Sequence, residues 1–311
     1  MPSWLLKAGA QGAISMLPWR RRLNRLFQER VTGNVQLTAR RFESKVAQAA
    51  RHLRHHSEAK PDPAIPRSAL ELGTGWYPIV PIALALSGVE RIVSIDIDPL
   101  TDGDRAHVAL DLFATYLEGD RLAEILPGVQ PARARRLLAE CRELRGGDAR
   151  AMLAPLGIEL EVTDARRTGL APGSIDLFVS NNTLEHIPPD TLRALMTELR
   201  RLAAPGAVMD HFIDMRDHYS GFDRSLSRLN YLRYPERVWR LFNNRLHYQN
   251  RLRVSDYRAL VEAAGFTIVA ERPTRGKPHE FDDLAIARRY RDTPRRDLFT
   301  LFVWLTAVAD R

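Results

Sequence analysis

From residue 69 onward, short β-forming runs alternate with helical stretches, and no other feature limits the fold as much. "ALEL" (69–72), "RIVSIDID" (91–98), "IELEVTDA" (158–165), "SIDLFVSNN" (174–182) and "AVMDHFID" (207–214) read as strands. Between them, "IVPIALALSG" (79–88) reads as a helix closed by Gly88, and 100–157 carries two runs of helical periodicity. "PDTLRALMTELRRLAAPGA" sets Leu192, Leu195, Met196, Leu199 and Leu202 on one helical face. "SDYRALVEAAGF" (255–266) is a further helix, with Ser255 as its cap and Gly265 as its stop. "TIVAE" and "LFTLFVWLTAV" supply the last two strands. With loop rather than helix between them, they form an antiparallel pair at one edge. Such alternation implies an α/β fold with a doubly wound, mostly parallel sheet.

The rest of the chain sets bounds. A length of 311 residues, 45% hydrophobic, suits one large domain with elaborations. Residues 1–60 read as a helical N-terminal extension and 61–311 as the main domain, with a helical insertion at about 100–157 and an aromatic, arginine-rich lid at about 215–254. Cys141 is the only cysteine, which excludes an intrachain disulfide and fits a reducing cytoplasm. The net charge of +8 permits anionic partners, but the arginines are spread along the chain, which argues against a dedicated nucleic-acid surface. No run approaches the roughly 18 apolar residues of a transmembrane helix. The start does not read as a signal peptide, since it lacks an apolar core followed by a small-residue cleavage site. Residues 1–30 mix apolar side chains with Arg20, Arg21, Arg22 and Arg25, a pattern that can lie on an anionic membrane surface or pack on protein.

The first strand leads into Gly73-Thr74-Gly75, a turn that lets backbone approach a ligand. In an open α/β sheet, ligands bind beyond the carboxyl ends of the strands, beside the first one. Asp96 ends the second strand, where a carboxylate can accept from both hydroxyls of a ribose. Glu71, two residues before the first glycine, would repel a pyrophosphate and favour a cation. Pro78 stands where a dinucleotide fingerprint has its third glycine. Residue chemistry therefore tilts from a dinucleotide to S-adenosylmethionine, with its ammonium and sulfonium.

"LELGTGWYP", "VSIDID", "VTDA" and "IDLFVSNNTLEHI" resemble, in order and spacing, the motifs of class I S-adenosylmethionine-dependent methyltransferases. The likeness covers roughly 69–98, 158–214 and 255–308. It implies a Rossmann-like sheet of seven strands with the last one antiparallel. Glu71, Gly73, Thr74 and Gly75 would surround the methionyl part of the cofactor. Asp96 and Ile97 would sit at the ribose, Asp164 and Ala165 at the adenine, and Asn181 and Asn182 beside the sulfonium. The alternative for Asp164 is a turn cap, and for Asp96 an arginine partner. The departure from the family pattern is Trp76-Tyr77-Pro78. The "NYLRY" and "NRLR" blocks also look like bacterial methyltransferases of surface-polysaccharide pathways.

Methyl transfer needs alignment above all, and a base when the acceptor is a hydroxyl. His186, His211 and His218 are the candidates, each also readable as structural: a pocket wall, a strand interior and a loop. No ligand pair on a recognisable helix points to a metal, and none is expected. Tyr219, Phe222, Tyr231, Tyr234, Trp239 and Arg224 could stack on a sugar or anionic acceptor, or pack as a lid. The expected reaction is O-methylation of a small molecule or of a glycan or lipid-linked intermediate. RNA methylation and cofactor binding without catalysis are the alternatives.

Overall fold

The computed structural model describes residue 9 and residues 36–61, 64–144, 146–244 and 248–310. The expected membrane contact through residues 1–30 lies outside these, Gly9 apart. Among the described residues, no helix is long and apolar enough to cross a membrane.

Seven strands form one sheet: β1 (Ser68–Leu72), β2 (Arg91–Asp96), β3 (Ile158–Val162), β4 (Ile175–Asn181), β5 (Ala203–Asp214), β6 (Phe266–Arg275) and β7 (Thr300–Ala309). Their order is β3-β2-β1-β4-β5-β7-β6, and β7 alone runs opposite to the other six strands. β7 thus lies inside the edge, between β5 and β6. The chain reverses direction across the sheet at β1 and β4, so a cleft opens beyond their carboxyl ends. β1 is paired on both sides, Leu70 lying opposite Val93 and Phe178. A central parallel strand is covered on both faces, which explains its nearly continuous apolar run.

Helices α1 (Ala39–Glu58), α2 (Ile79–Leu86), α3 (Gly103–Glu118), α4 (Pro131–Glu143) and α5 (Ala149–Leu153) cover one face. Helices α6 (Pro189–Leu202) and α7 (Val254–Ala263) cover the other. The period of two assigns Ala69 to the first face and Leu70 and Leu72 to the second. On α6, the five apolar residues of the expected stripe are all at most 2% exposed. Each such burial contributes about 1.5–3 kcal/mol. The segment read as an N-terminal extension ends in α1, whose Phe42, Val46 and Ala49 recur at helical spacing and are fully buried. Phe42 meets Phe113 and Tyr116 with ring centroids 4.8 Å away. α7 starts one residue earlier than expected, at Val254. Its cap is Arg253, not Ser255, because the Asp256 carboxylate turns back to accept the Arg253 N–H at 2.8 Å.

The expected lid is a third, smaller core. Tyr219, Leu229, Tyr231, Leu232 and Trp239 pack with Phe281, Tyr290 and Leu298 from the β6–β7 connection and with Leu301 of β7. Two buried arginines pin it. Arg251 donates to Tyr231 O at 3.0 Å, Tyr234 O at 2.7 Å and Glu236 at 2.6 Å, and lies over the Trp239 ring. Arg253 donates to Met215 O at 3.0 Å and Leu298 O at 2.7 Å, joining this core to the ends of β5 and β7. Tyr219, Tyr231 and Trp239 are at most 1% exposed and cannot stack on an acceptor.

Candidate active site

After Leu72 the chain turns through the two glycines. Gly73 has φ +84° and donates its N–H to Ile95 O at 2.7 Å. A Cβ there would lie 2.4 Å from Thr183 Oγ1, whose hydroxyl donates to Leu72 O at 3.1 Å. Glycine is required because β1 and the chain leaving β4 approach so closely. Gly75, at φ +71°, donates to Asp96 Oδ2 at 2.9 Å, and a Cβ on it would meet nothing within 4 Å. Asp96 Oδ1 accepts the Asp98 N–H at 3.1 Å, so the carboxylate ties the loop down while each oxygen keeps a further lone pair. Burial raises the Asp96 pKa, against the backbone hydrogen bonds that lower it. Pro78 occupies the N-cap of α2 at φ −80°; a helix start suits its ring, and no third glycine is needed.

A cavity of about 870 Å³ opens over this loop. Gly73, Thr74, Gly75, Asp96 and Ile97 line it from the β1 and β2 side. Asp164, Ala165, Asn181, Asn182 and His186 line it from beyond β3 and β4. Trp76 and Tyr77 also face it, with the Arg105 guanidinium 4.8 Å above the Trp76 ring. The opposite wall was missed from sequence: Leu37, Arg41, Ser44, Lys45 and Gln48 come from α1 and the turn before it. The signal available was the Phe42, Val46, Ala49 stripe, which makes α1 part of the core and leaves its other face toward the sheet ends.

Glu71 does not face the cavity. It points to the α1 side of the sheet, 3% exposed, and Ser94 Oγ donates to its Oε2 at 2.5 Å. Thr74 Oγ1 lies 2.6 Å from Ser94 Oγ and donates to it, since the Ser94 proton is already committed. Burial raises the Glu71 pKa to about 7, opposed by Ser94 and by nearby Lys45. The carboxylate read as an attraction for a cation is thus a loop anchor, only partly charged at neutral pH.

Asp164 is on the wall with its carboxylate gripped by Arg166, whose Nε is 2.9 Å from both oxygens. That hydrogen bonding holds the Asp164 pKa below the ordinary range. Asn181, 6% exposed, brings its Oδ1 to 3.3 Å from His52 Nε2, and its amide nitrogen has no partner. Asn182 closes β4 at φ +54°, held by its N–H to Phe212 O at 2.9 Å.

The three candidate histidines separate. His211 is fully buried, on the α6–α7 side of β5, with Nδ1 2.8 Å from Ser180 Oγ; it does not reach the cavity. Burial lowers its pKa to about 4. Its neighbour Asp210 faces the other way, into a closed cluster: His52 Nδ1 at 2.7 Å, His55 Nδ1 at 3.1 Å and Thr306 Oγ1 at 2.7 Å. His186 opens on the cavity. Its Nδ1–H donates to Tyr248 O at 2.8 Å, leaving Nε2 as the acceptor nitrogen, and crowding by protein lowers its pKa. His218 is half-buried beside it, ring centroids 5.0 Å apart, with Nε2 3.8 Å from Asp214 Oδ2. Glu185, 2% exposed, completes this group with no side chain hydrogen-bonded to either oxygen.

These features fit S-adenosylmethionine. The loop leaves open space at Gly75, Asp96 faces the cavity with spare lone pairs, and a buried amide at Asn181 lacks a partner. A family model described as "Methyltransferase domain" matches residues 133–209, from α4 into β5. Among curated proteins no sequence matches. Solved structures similar to the chain include magnesium protoporphyrin IX methyltransferase from Synechocystis PCC 6803 with bound S-adenosylhomocysteine, at 14% identity and TM-score 0.48, covering 91% of this chain and 96% of that one. A sarcosine dimethylglycine methyltransferase described as putative, from Galdieria sulphuraria, has 14% identity and TM-score 0.45, covering 92% and 97%. The N-methyltransferase NodS from Bradyrhizobium japonicum WM9, in complex with S-adenosyl-L-homocysteine, has 13% identity and TM-score 0.43, covering 85% and 86%. At such identities the likeness says nothing of an acceptor. The matched methyltransferase-domain stretch thus carries β3, β4 and the start of β5, within the Rossmann-like seven-stranded sheet that surrounds the cavity.

Proposed function

We propose that the protein methylates an oxygen of a small molecule or of a glycan or lipid-linked intermediate. The observation that carries this is the form of the cavity. A glycine-loop half and a polar half, the latter built by α1, Asn182 and His186, share one space of about 870 Å³. Bound S-adenosylmethionine would supply the electrophilic methyl group on its sulfonium. Asp96 would accept the ribose hydroxyls, and Ile97, 64% exposed, would be covered by the sugar and base. Asp164 would accept the adenine amine beside Arg166. Gly73, Thr74 and Gly75 would border the methionyl part, and Asn181 would turn its partnerless amide to the ligand. Glu71 acts in this reading by holding Ser94 and Thr74, and so the loop.

The acceptor would enter between α1 and the chain after β4, its hydroxyl against His186. The neutral imidazole there, with Nδ1–H fixed on Tyr248 O, offers Nε2 to the proton that must leave. Residues 1–30 would rest on a membrane surface where the acceptor is lipid-linked. Calorimetry with S-adenosylmethionine and S-adenosylhomocysteine tests the cofactor assignments. The expectation is binding by the wild type that falls at least about tenfold in Asp96→Ala, a loss of about 1.4 kcal/mol. If neither ligand binds the wild type, the reading fails. A screen of hydroxyl acceptors for S-adenosylhomocysteine release then tests the substrate class.

A further inference from the structure

Glu185, His186 and His218 each offer a ligand atom, and these atoms all lie within 4.8 Å of one another. Around them the donors are arranged unequally. His186 commits Nδ1–H to a backbone carbonyl, which fixes the tautomer and aims the Nε2 lone pair outward. Metal-bound histidines are oriented in this way. Glu185 is almost fully buried, yet no side chain hydrogen-bonds either of its oxygens, and only the backbone N–H groups of Glu185 and Asp214 lie near them. A buried carboxylate with no side-chain partner is costly, and protein interiors rarely leave one. His218 leans on Asp214, whose own carboxylate is gripped by Arg216 at 2.7 to 3.2 Å. The group lies where the cavity is lined by His186, on the side given above to the acceptor.

We propose that Glu185, His186 and His218 form a binding site for a divalent transition-metal ion of the zinc class, at the acceptor end of the cavity. Two imidazoles and one carboxylate suit such an ion and leave coordination positions open. Donors on a tetrahedral ion with bonds of about 2.1 Å stand about 3.4 Å apart. Side-chain rotation, chiefly of His218 on its short 3-10 turn, closes the difference. In the open positions the ion would take the acceptor's hydroxyl and lower its pKa, so that the proton leaves to solvent water and the alkoxide oxygen displaces the thioether from the methyl group. His186 then acts as a ligand and not as a base. This role rests on the O-methylation reading, but the site does not.

Lys45 is the rival partner for this carboxylate. Lys45 is close enough to Glu185 to act on its charge, although the two form no hydrogen bond. Titration of the full chain, stripped with a chelator, with zinc sulfate and separately with manganese chloride decides between them. The expected result is close to one equivalent of ion bound, with affinity falling at least about 100-fold in Glu185→Gln and in His218→Gln. His211→Gln should bind the ion as the wild type does. S-adenosylhomocysteine affinity should be unchanged in Glu185→Gln, which separates failure of this site from failure of the cofactor reading. Absence of stoichiometric binding overturns the proposal, as does binding that survives both substitutions. Loss of stability in Glu185→Gln, restored by adding Lys45→Met, also overturns it, because Lys45 would then be the partner.

Discussion

Among the described residues, two clusters of histidine and carboxylate are built from the same residue types and finished differently. In the closed one, Asp210 receives His52, His55 and Thr306, all buried. In the open one, Glu185 has no side-chain partner, only the backbone N–H groups of Glu185 and Asp214 nearby, and His186 turns a nitrogen to the cavity. The first ties α1 to β5 and β7. The second holds back its hydrogen-bonding capacity where a ligand can enter. Residue type does not distinguish them; the count of satisfied donors and acceptors does.

The sharpest way to break this contrast is Asp210→Ala. Burial pushes the Asp210 pKa up, but the hydrogen bonds and charges of His52 and His55 outweigh it and hold it far below the carboxylate range. Removing it leaves two buried imidazoles without an acceptor, and denaturant unfolding should register a loss of about 3–5 kcal/mol. A loss under about 1 kcal/mol would mean that the closed cluster is not structural. Glu185→Met should go the opposite way. With no side-chain partner to abandon, the folded apo protein should keep its stability or gain up to about 3 kcal/mol, while turnover collapses. A clear destabilisation there would erase the distinction between the clusters.

The histidines that face no cavity also set a pH window. His56 and His211 have pKa values lowered by burial to about 4, against 6.5 in model compounds. Between those values the unfolded chain binds more protons than the folded one, so stability falls as pH drops from about 6.5 to about 4. Glu71 works in the reverse sense. Its pKa of about 7 makes its contribution complete below about 4.5 and lost as pH rises toward 7. Melting temperatures across pH 4–7 should therefore steepen in Glu71→Gln and flatten in His211→Gln, by an amount equivalent to about 1–3 kcal/mol. Unchanged profiles in both variants would contradict these assignments.

Asn181 touches both worlds, and its replacement sharpens the comparison most gently. Asn181→Ala removes one hydrogen bond to His52 and should cost about 1 kcal/mol of stability. Its effect on S-adenosylhomocysteine affinity should be larger, about tenfold by calorimetry. Equal small effects on both would assign Asn181 to the closed cluster alone.

Much of the fold was legible because strand and helix periods differ. Ala69 to Leu72, the α6 stripe and the carboxylate closing β2 all follow from local pattern. Asp96, Gly73 and Gly75 stand on the cavity wall for the same reason: a glycine turn after a first strand has few other places to be. What could not be read depends on contacts distant in sequence. Ser94, 23 positions from Glu71, turns that carboxylate inward. The β6–β7 connection supplies the partners that bury Tyr219, Tyr231 and Trp239. That α1 would wall the cavity depends on its packing against α2, not on its own sequence. In β5, alternation fixed that Asp210 and His211 face opposite ways but not that both sides would be covered. Arginine abundance hid two residues, Arg251 and Arg253, whose role is to satisfy buried carbonyls.

The placement of β7 has a consequence for how the protein is made. Residues 203–214 leave the ribosome nearly a hundred residues before their antiparallel partner, as the Asp210–Thr306 contact measures. Throughout that interval β5 presents an unpaired apolar edge, and β6, once synthesised, has nothing to join. The sheet cannot be completed from one end to the other in order of synthesis. Its last strand must pair with β5 on one side and with β6 on the other. Folding of this half must wait for residues 300–309, and the nascent chain is most open to aggregation or chaperone capture in the stretch just before they emerge.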